Sequence, residues 1–199
     1  MITGKLVAAS VFISFVVLST AIADNKLKPD TPKKLIVQMD PMSVDASDYP
    51  LDAVEDLHGT SAPPLVEIGF WRLAVGGPAV RTPLALTDAE IQAMPAVKDA
   101  PILICPGVFV DHAEWEGVTL AAVIDMAKVK ATWSTVTFEA LDGYRTSFTW
   151  QEVDAHLFYL AYKVNGQVLP LLHGYPLRLV AEDFFGGRWV KWLRESTVG

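Results

Sequence analysis

The chain has 199 residues, a single cysteine and a formal net charge of −7, and 51% of its residues are hydrophobic. That length supports one domain with a real core. The acidic balance argues against a nucleic-acid partner, because phosphate binding needs a cationic surface, and one cysteine excludes an intramolecular disulfide.

Lys5 precedes an apolar run from Leu6 to Leu18, and Ala21-Ile22-Ala23 follows as a small-residue cleavage site. That is the order of regions in a secretory signal peptide, and about 13 apolar residues are few for a membrane span. An uncleaved membrane anchor is the other reading of the run. Residues 1–23 are expected to be a Sec-type signal without an Arg pair, directing the chain to the periplasm or outside the cell. Its removal takes away one lysine and no acid, leaving 15 basic and 23 acidic residues, net −8.

Residues 24–64 are polar and rich in proline, with Pro29, Pro41, Pro50, Pro63 and Pro64 among them. They read as an extended arm or linker, with one short strand at Leu35–Gln38. The folded domain is expected over 65–199. From Ile68 to Val75, alternation around Trp71, Leu73 and Val75 predicts a strand, turned by Gly76-Gly77-Pro78. Thr87-Asp88-Ala89-Glu90 has capping-box spacing, so a short helix is expected to run to about Met94, before Pro95. Ile102–Cys105 is a fully apolar run and reads as a buried strand, with Pro106-Gly107 turning the chain after it.

An amphipathic helix is expected over Leu120–Ala127. Thr135–Leu141 is rich in β-branched and aromatic residues and reads as a strand. Asp142-Gly143 turns it into Tyr144–Thr149, and Thr149-Trp150-Gln151-Glu152 starts another capped helix. Phe158–Val164, Asn165-Gly166 and Gln167–Leu169 form a hairpin signal, and Leu177–Ala181 is a strand. The sum is an α+β domain of mixed short sheets with short helices, not a βαβ repeat.

The chain lacks HExxH, paired CxxC, CxxCH, GxGxxG, a Walker loop and G-x-S-x-G, so zinc protease, covalent haem, nucleotide-fold and common esterase readings are without support. Cys105 is either a buried small hydrophobe or a reactive or metal-bound thiolate. Asp111, His112 and Glu114 follow it closely and read as an exposed loop rather than pocket lining. Glu182-Asp183 reads as a solvated loop. His173, Arg178 and Lys191 are the informative cations. Arg178 interrupts the strand-like run Leu177–Val180, and Lys191 lies between Trp189 and Trp192. They are either an exposed Arg and a snorkelling Lys, or a convergent anion site. In the second case Arg forks to phosphate oxygens, Lys supplies a point charge, and the Gly186-Gly187 backbone adds donors.

Set together, several segments resemble the molybdopterin domain of the sulfite oxidase family. They are Ile102-Leu103-Ile104-Cys105, Trp115-Glu116-Gly117-Val118-Thr119-Leu120, Gly69–Gly77 with Pro83–Thr87, and the pair His173–Arg178 and Trp189–Leu193. The spacings of five from His173 to Arg178 and thirteen from Arg178 to Lys191 agree with the family pattern. The resemblance spans roughly residues 65–195 and implies a sulfite oxidase-type molybdopterin-binding fold. It implies Cys105 as the thiolate ligand of molybdenum, a soft donor beside the pterin dithiolene. It implies His173 and Arg178 as contacts of the pterin and its phosphate, with Trp189, Val190 and Lys191 touching the same group, the first two through backbone atoms.

The expectation is an exported, molybdopterin-dependent oxidoreductase that moves an oxygen atom to or from a small-molecule substrate. It would exchange electrons with an external carrier such as a cytochrome or a membrane component. A second reading keeps the cleft but not the cofactor. It is a binding module for a small anionic ligand or a partner protein, and the Sec-type signal without an Arg pair speaks for it.

Overall fold

Period-two burial builds the larger sheets. In a computed structural model that describes residues 25–199, the chain forms twelve short strands and four short helices. The expected signal peptide lies outside the described residues. In chain order the elements are α1 (Lys33–Ile36), β1 (Leu73–Gly76), β2 (Leu84–Leu86), α2 (Asp88–Gln92), β3 (Ala96–Asp99), β4 (Ile102–Cys105), β5 (Phe109–His112) and β6 (Trp115–Thr119). They continue as α3 (Leu120–Met126), β7 (Thr135–Ala140), β8 (Arg145–Thr149), α4 (Trp150–Ala155), β9 (Phe158–Val164), β10 (Gln167–Val168), β11 (Arg178–Ala181) and β12 (Leu193–Val198).

One sheet has the order β2-β1-β12-β7-β8, antiparallel except where β1 runs parallel to β12. On β7, Val136, Phe138 and Ala140 point into the core while the residues between them face outward, the alternation that a half-buried strand requires. The second sheet is built on β9, which is buried along nearly its whole length. It pairs with β6 on one side, and with β10 and β11 on the other, while β3 flanks β6. Gly117 sits where β6 bulges against β9; a Cβ there would lie 2.0 Å from the Leu160 carbonyl oxygen, so only glycine fits. Both capping boxes form, with the Thr87 and Thr149 hydroxyls accepting from Glu90 and Glu152 backbone N–H groups.

The third sheet is the hairpin of β4 and β5. Its two faces look into different cores. Ile102, Ile104 and Val110 join a cluster with Leu27, Ile36, Ala46 and Tyr49, whereas Leu103 packs into the main core. Residues 25–64, expected as an extended linker, are therefore folded onto the domain. They contribute a core of their own and are pinned at Asp52. The Asp52 carboxylate accepts from Lys33 Nζ (2.7 Å) and from the His112 backbone N–H (2.9 Å), its backbone N–H donates to His112 O (2.7 Å), and its carbonyl accepts from Asn165 (2.8 Å).

Two element expectations are corrected. Leu35–Gln38 is not a strand: α1 starts after Pro32, and one turn of helix buries Ile36 while leaving Lys34 and Leu35 outside. With no neighbouring strand to pair, a four-residue helix satisfies its own backbone. The strand expected from Ile68 begins at Leu73, because the Phe70 and Trp71 N–H groups both donate to the Glu67 carbonyl and close a turn first. Among the described residues, no helix is long and apolar enough to cross a membrane.

Candidate functional site

The alternation of β4 decides where the cysteine points. Ile102 and Ile104 face the arm, so Leu103 and Cys105 face the other way, into a cleft of about 280 Å³. The Gly186-Gly187 turn forms the opposite wall. A Cβ on Gly186 would lie 2.6 Å from Cys105 Sγ, so the glycine keeps the space over the thiol open. Burial pushes the thiol pKa up, and Asp111 adds to this, while Arg178 opposes it.

Arg178 is the first residue of β11, whose four residues are all buried. Its guanidinium lies in the corner of two indoles packed edge to face, 4.6 Å from the Trp115 ring and 5.3 Å from that of Trp189. One N–H donates to the His173 carbonyl at 3.2 Å, and Nε has no partner. Among the described residues it makes no ion pair. Burial lowers its pKa to about 10. Lys191 lines the same cleft, with Nζ donating to the Leu172 carbonyl at 3.3 Å and lying 4.3 Å from the Trp192 ring. Burial first, and Arg178 second, lower its pKa to about 8. The two cations sit side by side: a Cβ on Gly174 would meet Arg178 Cβ at 3.1 Å and Lys191 Cα at 3.2 Å.

Two adjacent, desolvated cations with no carboxylate in ion-pair contact, Asp111 and Asp142 acting on them only from farther away, form a place for an anion. A phosphate fits that chemistry, and the orphaned guanidinium N–H is the kind of donor that it satisfies. Among the described residues, no three His, Cys, Asp or Glu side chains are grouped to hold a metal ion. A metal at Cys105 would take its remaining ligands from a bound organic group and from small molecules. The residues present fit a cofactor that carries its own metal-binding sulfurs at one end and a phosphate at the other.

The structure brings together Cys105, Arg178, Trp189 and Lys191. It does not bring in the other two expected residues as side chains. His173 is buried behind Arg178 and holds it through its carbonyl. Burial, with Arg178 beside it, lowers the His173 pKa. Val190 is fully buried, and its carbonyl receives the Leu179 N–H. The Trp189 indole donates to the Phe184 carbonyl at 3.1 Å, which leaves its ring free to cover Arg178.

Other lining residues come from segments that were read as linker, loop or turn. Asp111, expected in an exposed loop, is 4% exposed on β5. It accepts from the His58 backbone N–H at 2.9 Å and lies 2.6 Å from His58 Nδ1. The His58 ring stacks on Phe109 at 4.5 Å and faces the cleft with Thr60 and Ser61. A lone His after a Pro-rich stretch carries no spacing signal, so sequence reasoning missed it. Asp142 and Tyr144, read only as a hairpin turn, close the far side, with the Tyr144 hydroxyl donating to the Gly187 carbonyl. His112 lines nothing: both ring nitrogens face carbonyls, those of Pro50 and Ala100. Glu182, expected to be solvated, is half-buried near Asp99 and Asp183, and its pKa is pushed up to about 7.

A family model described as the oxidoreductase molybdopterin binding domain matches residues 60–199. The chain belongs to this family. Its relatives include the NADPH nitrate reductase of Beauveria bassiana, 36% identical over 93 residues that make up 43% of this chain and 10% of that enzyme. The mitochondrial sulfite oxidase of Rattus norvegicus is 34% identical over 100 residues, 45% of this chain and 18% of the enzyme. The oxidoreductase YuiH of Bacillus subtilis is 29% identical over 140 residues, 69% of this chain and 70% of that protein. The sulfane dehydrogenase SoxCD of Paracoccus pantotrophus superposes with a TM-score of 0.64 at 25% identity, covering 69% of this chain and 40% of the other. The fold is the sulfite oxidase type, as expected. The chain's family is one of molybdopterin-binding oxidoreductase domains, and the chain spans only a tenth to a fifth of the nitrate reductases and sulfite oxidases that it matches.

Proposed function

We propose that this molybdopterin-dependent oxidoreductase transfers an oxygen atom to or from a small substrate at a metal held by Cys105. The observation that carries the reading is the single thiol in a cleft also lined by Arg178 and Lys191, both buried or half-buried and with no carboxylate in ion-pair contact. When bound, the cofactor supplies two-electron redox chemistry and open coordination sites for oxygen. The chain's part is to bind and orient it. Cys105 gives the one protein ligand as thiolate. Arg178 and Lys191 hold the phosphate, the first as a fork and the second as a point charge. His173 fixes Arg178 through its carbonyl, and Trp189 and Val190 support the same wall through ring and backbone. The indoles of Trp115 and Trp189 keep water from the guanidinium.

The protein is exported to the periplasm or beyond by the signal at residues 1–23. Residues 25–64 act as a packed arm, and 65–199 as the cofactor-binding domain. Electrons pass to or from an external carrier, a cytochrome or a membrane component. SoxCD, by its name a sulfane dehydrogenase, supports a small sulfur- or oxygen-bearing substrate class without choosing among its members.

The test is metal and pterin analysis of protein isolated from its own host. About one molybdenum per chain is expected, and Cys105→Ser abolishes it while leaving the circular dichroism spectrum and the thermal midpoint nearly unchanged. Protein without molybdenum that still binds phosphate through Arg178, and is indifferent to Cys105→Ala, would instead be a cofactor-free binding module.

A further inference from the structure

We propose that Glu152 on α4 is a positioning residue for the metal ligand: through Arg188 it fixes how closely the Gly186-Gly187 wall stands over the Cys105 thiol. The role in metal binding rests on the oxidoreductase reading above and deepens it, whereas the hold on the wall stands on this chain's own contacts. Gly186–Arg188 is a single 3-10 turn between β11 and β12. Its first two residues have no side chains with which to anchor it, yet the turn stands close to β4. A Cβ on Gly186 would lie 2.6 Å from Cys105 Sγ and 2.8 Å from Leu103 Cδ2. In so close a contact a small displacement of the turn changes the room around the thiol.

Arg188 is the one residue of the turn with a side chain, and that side chain is held outside the cleft. Its guanidinium enters a slot made by β8, α4 and Phe184. Nη1 donates to Glu152 Oε1 at 2.5 Å and Nη2 to the Ser147 carbonyl at 2.6 Å. The group lies 4.0 Å from the Phe148 ring and 4.7 Å from that of Phe184. Forked N–H bonds and two rings fix an arginine in direction as well as in place. Glu152 is itself already held. Its second oxygen, Oε2, accepts from the Thr149 backbone N–H at 2.8 Å and from the Thr149 hydroxyl at 3.1 Å, so the capping box keeps the carboxylate from following the turn. Arg188 is the foremost cause that lowers the Glu152 pKa, so the pair is charged at neutral pH. The contacts thus run from the α4 cap through Glu152 and Arg188 to the backbone opposite the thiol. The Tyr144 hydroxyl braces the same wall at the Gly187 carbonyl.

The test separates position from stability. Glu152→Gln keeps an oxygen for the Thr149 N–H, as glutamine does in a capping box, and loses the charge that Arg188 pairs with. Thr149→Ala does the reverse: it weakens the cap and keeps the ion pair. Both variants, with Arg188→Gln, are made in the full chain, expressed without cofactor. The rate of Cys105 alkylation by iodoacetamide at fixed pH is measured beside the denaturant midpoint. A wall that opens more often exposes the thiol more often. Glu152→Gln and Arg188→Gln are expected to react at least about threefold faster than wild type, the scale of a partly exposed ion pair. Thr149→Ala is expected to react at the wild-type rate although it loses stability. Pair variants that react no faster than wild type overturn the inference, as does a Thr149→Ala protein that reacts as fast as Glu152→Gln. In protein from its own host, molybdenum retention after dialysis is expected to fall in Glu152→Gln and not in Thr149→Ala; equal retention in the two overturns the role in metal binding. Wild type that holds no molybdenum overturns the oxidoreductase reading, while the alkylation rates still decide the hold on the wall.

Discussion

A guanidinium buried to 6% exposure, held by one carbonyl and two indole faces, is costly for a fold that gives it no ion-pair contact and only the more distant charge of Asp111. Its retention makes sense if a ligand brings the missing charge. Arg178→Met is therefore expected to leave the thermal midpoint of the cofactor-free protein unchanged or raised, while molybdenum retention after dialysis falls at least about tenfold. Arg178→Lys keeps a charge but loses the fork and the stacking, and is expected to retain cofactor as poorly. Gly186→Ala puts a methyl group against Cys105 Sγ and should lower metal content with little change in melting. Glu182 carries the pH dependence. Burial, and then Asp99 and Asp183, raise its pKa from 4.5 to about 7. Ionisation thus costs more in the fold than in the unfolded chain, and stability is lost as pH rises from about 4.5 through 7. Glu182→Gln should match wild type near pH 4.5 and exceed it at pH 8 by on the order of 1 kcal/mol, after allowance for solvent screening. Denaturant melts at the two pH values check this.

At the scale of elements, the β4–β5 hairpin is the piece that couples the arm to the site. One face is sealed by Ile36 and its neighbours, and the other presents Cys105, Phe109 and Asp111. Ile36→Ala removes a fully buried side chain and should cost about 2–4 kcal/mol. It should also speed proteolytic cleavage between residues 25 and 64 before the rest of the chain is cut. The two helix caps were legible from spacing alone, because a capping box is a local device: Thr149→Ala should cost about 1 kcal/mol, read as a shift in denaturant midpoint. The face of β4 was not legible in the same way. A wholly apolar run is compatible with either orientation of its alternate residues, and only the positions of the two cores choose between them.

For the whole molecule, the cleft lies where the arm, the hairpin and the β9 sheet meet, and its residues are drawn from segments up to 134 positions apart, from His58 to Trp192. Local rules reach about as far as one turn or one strand. From the sequence came the sheet-rich α+β class, most strand and cap positions, the single thiol at a strand end and the cationic segment from His173 to Lys191, because each is a matter of period, spacing or residue type. Only the tertiary structure put the thiol and Arg178 in one cleft and left the His173 side chain out of its lining. It also folded the Pro-rich arm into a wall bearing His58, and buried Asp111 and Glu182 where loops were expected. Those outcomes depend on which surfaces far apart in the chain bury one another, and burial between distant segments leaves no pattern in either segment by itself.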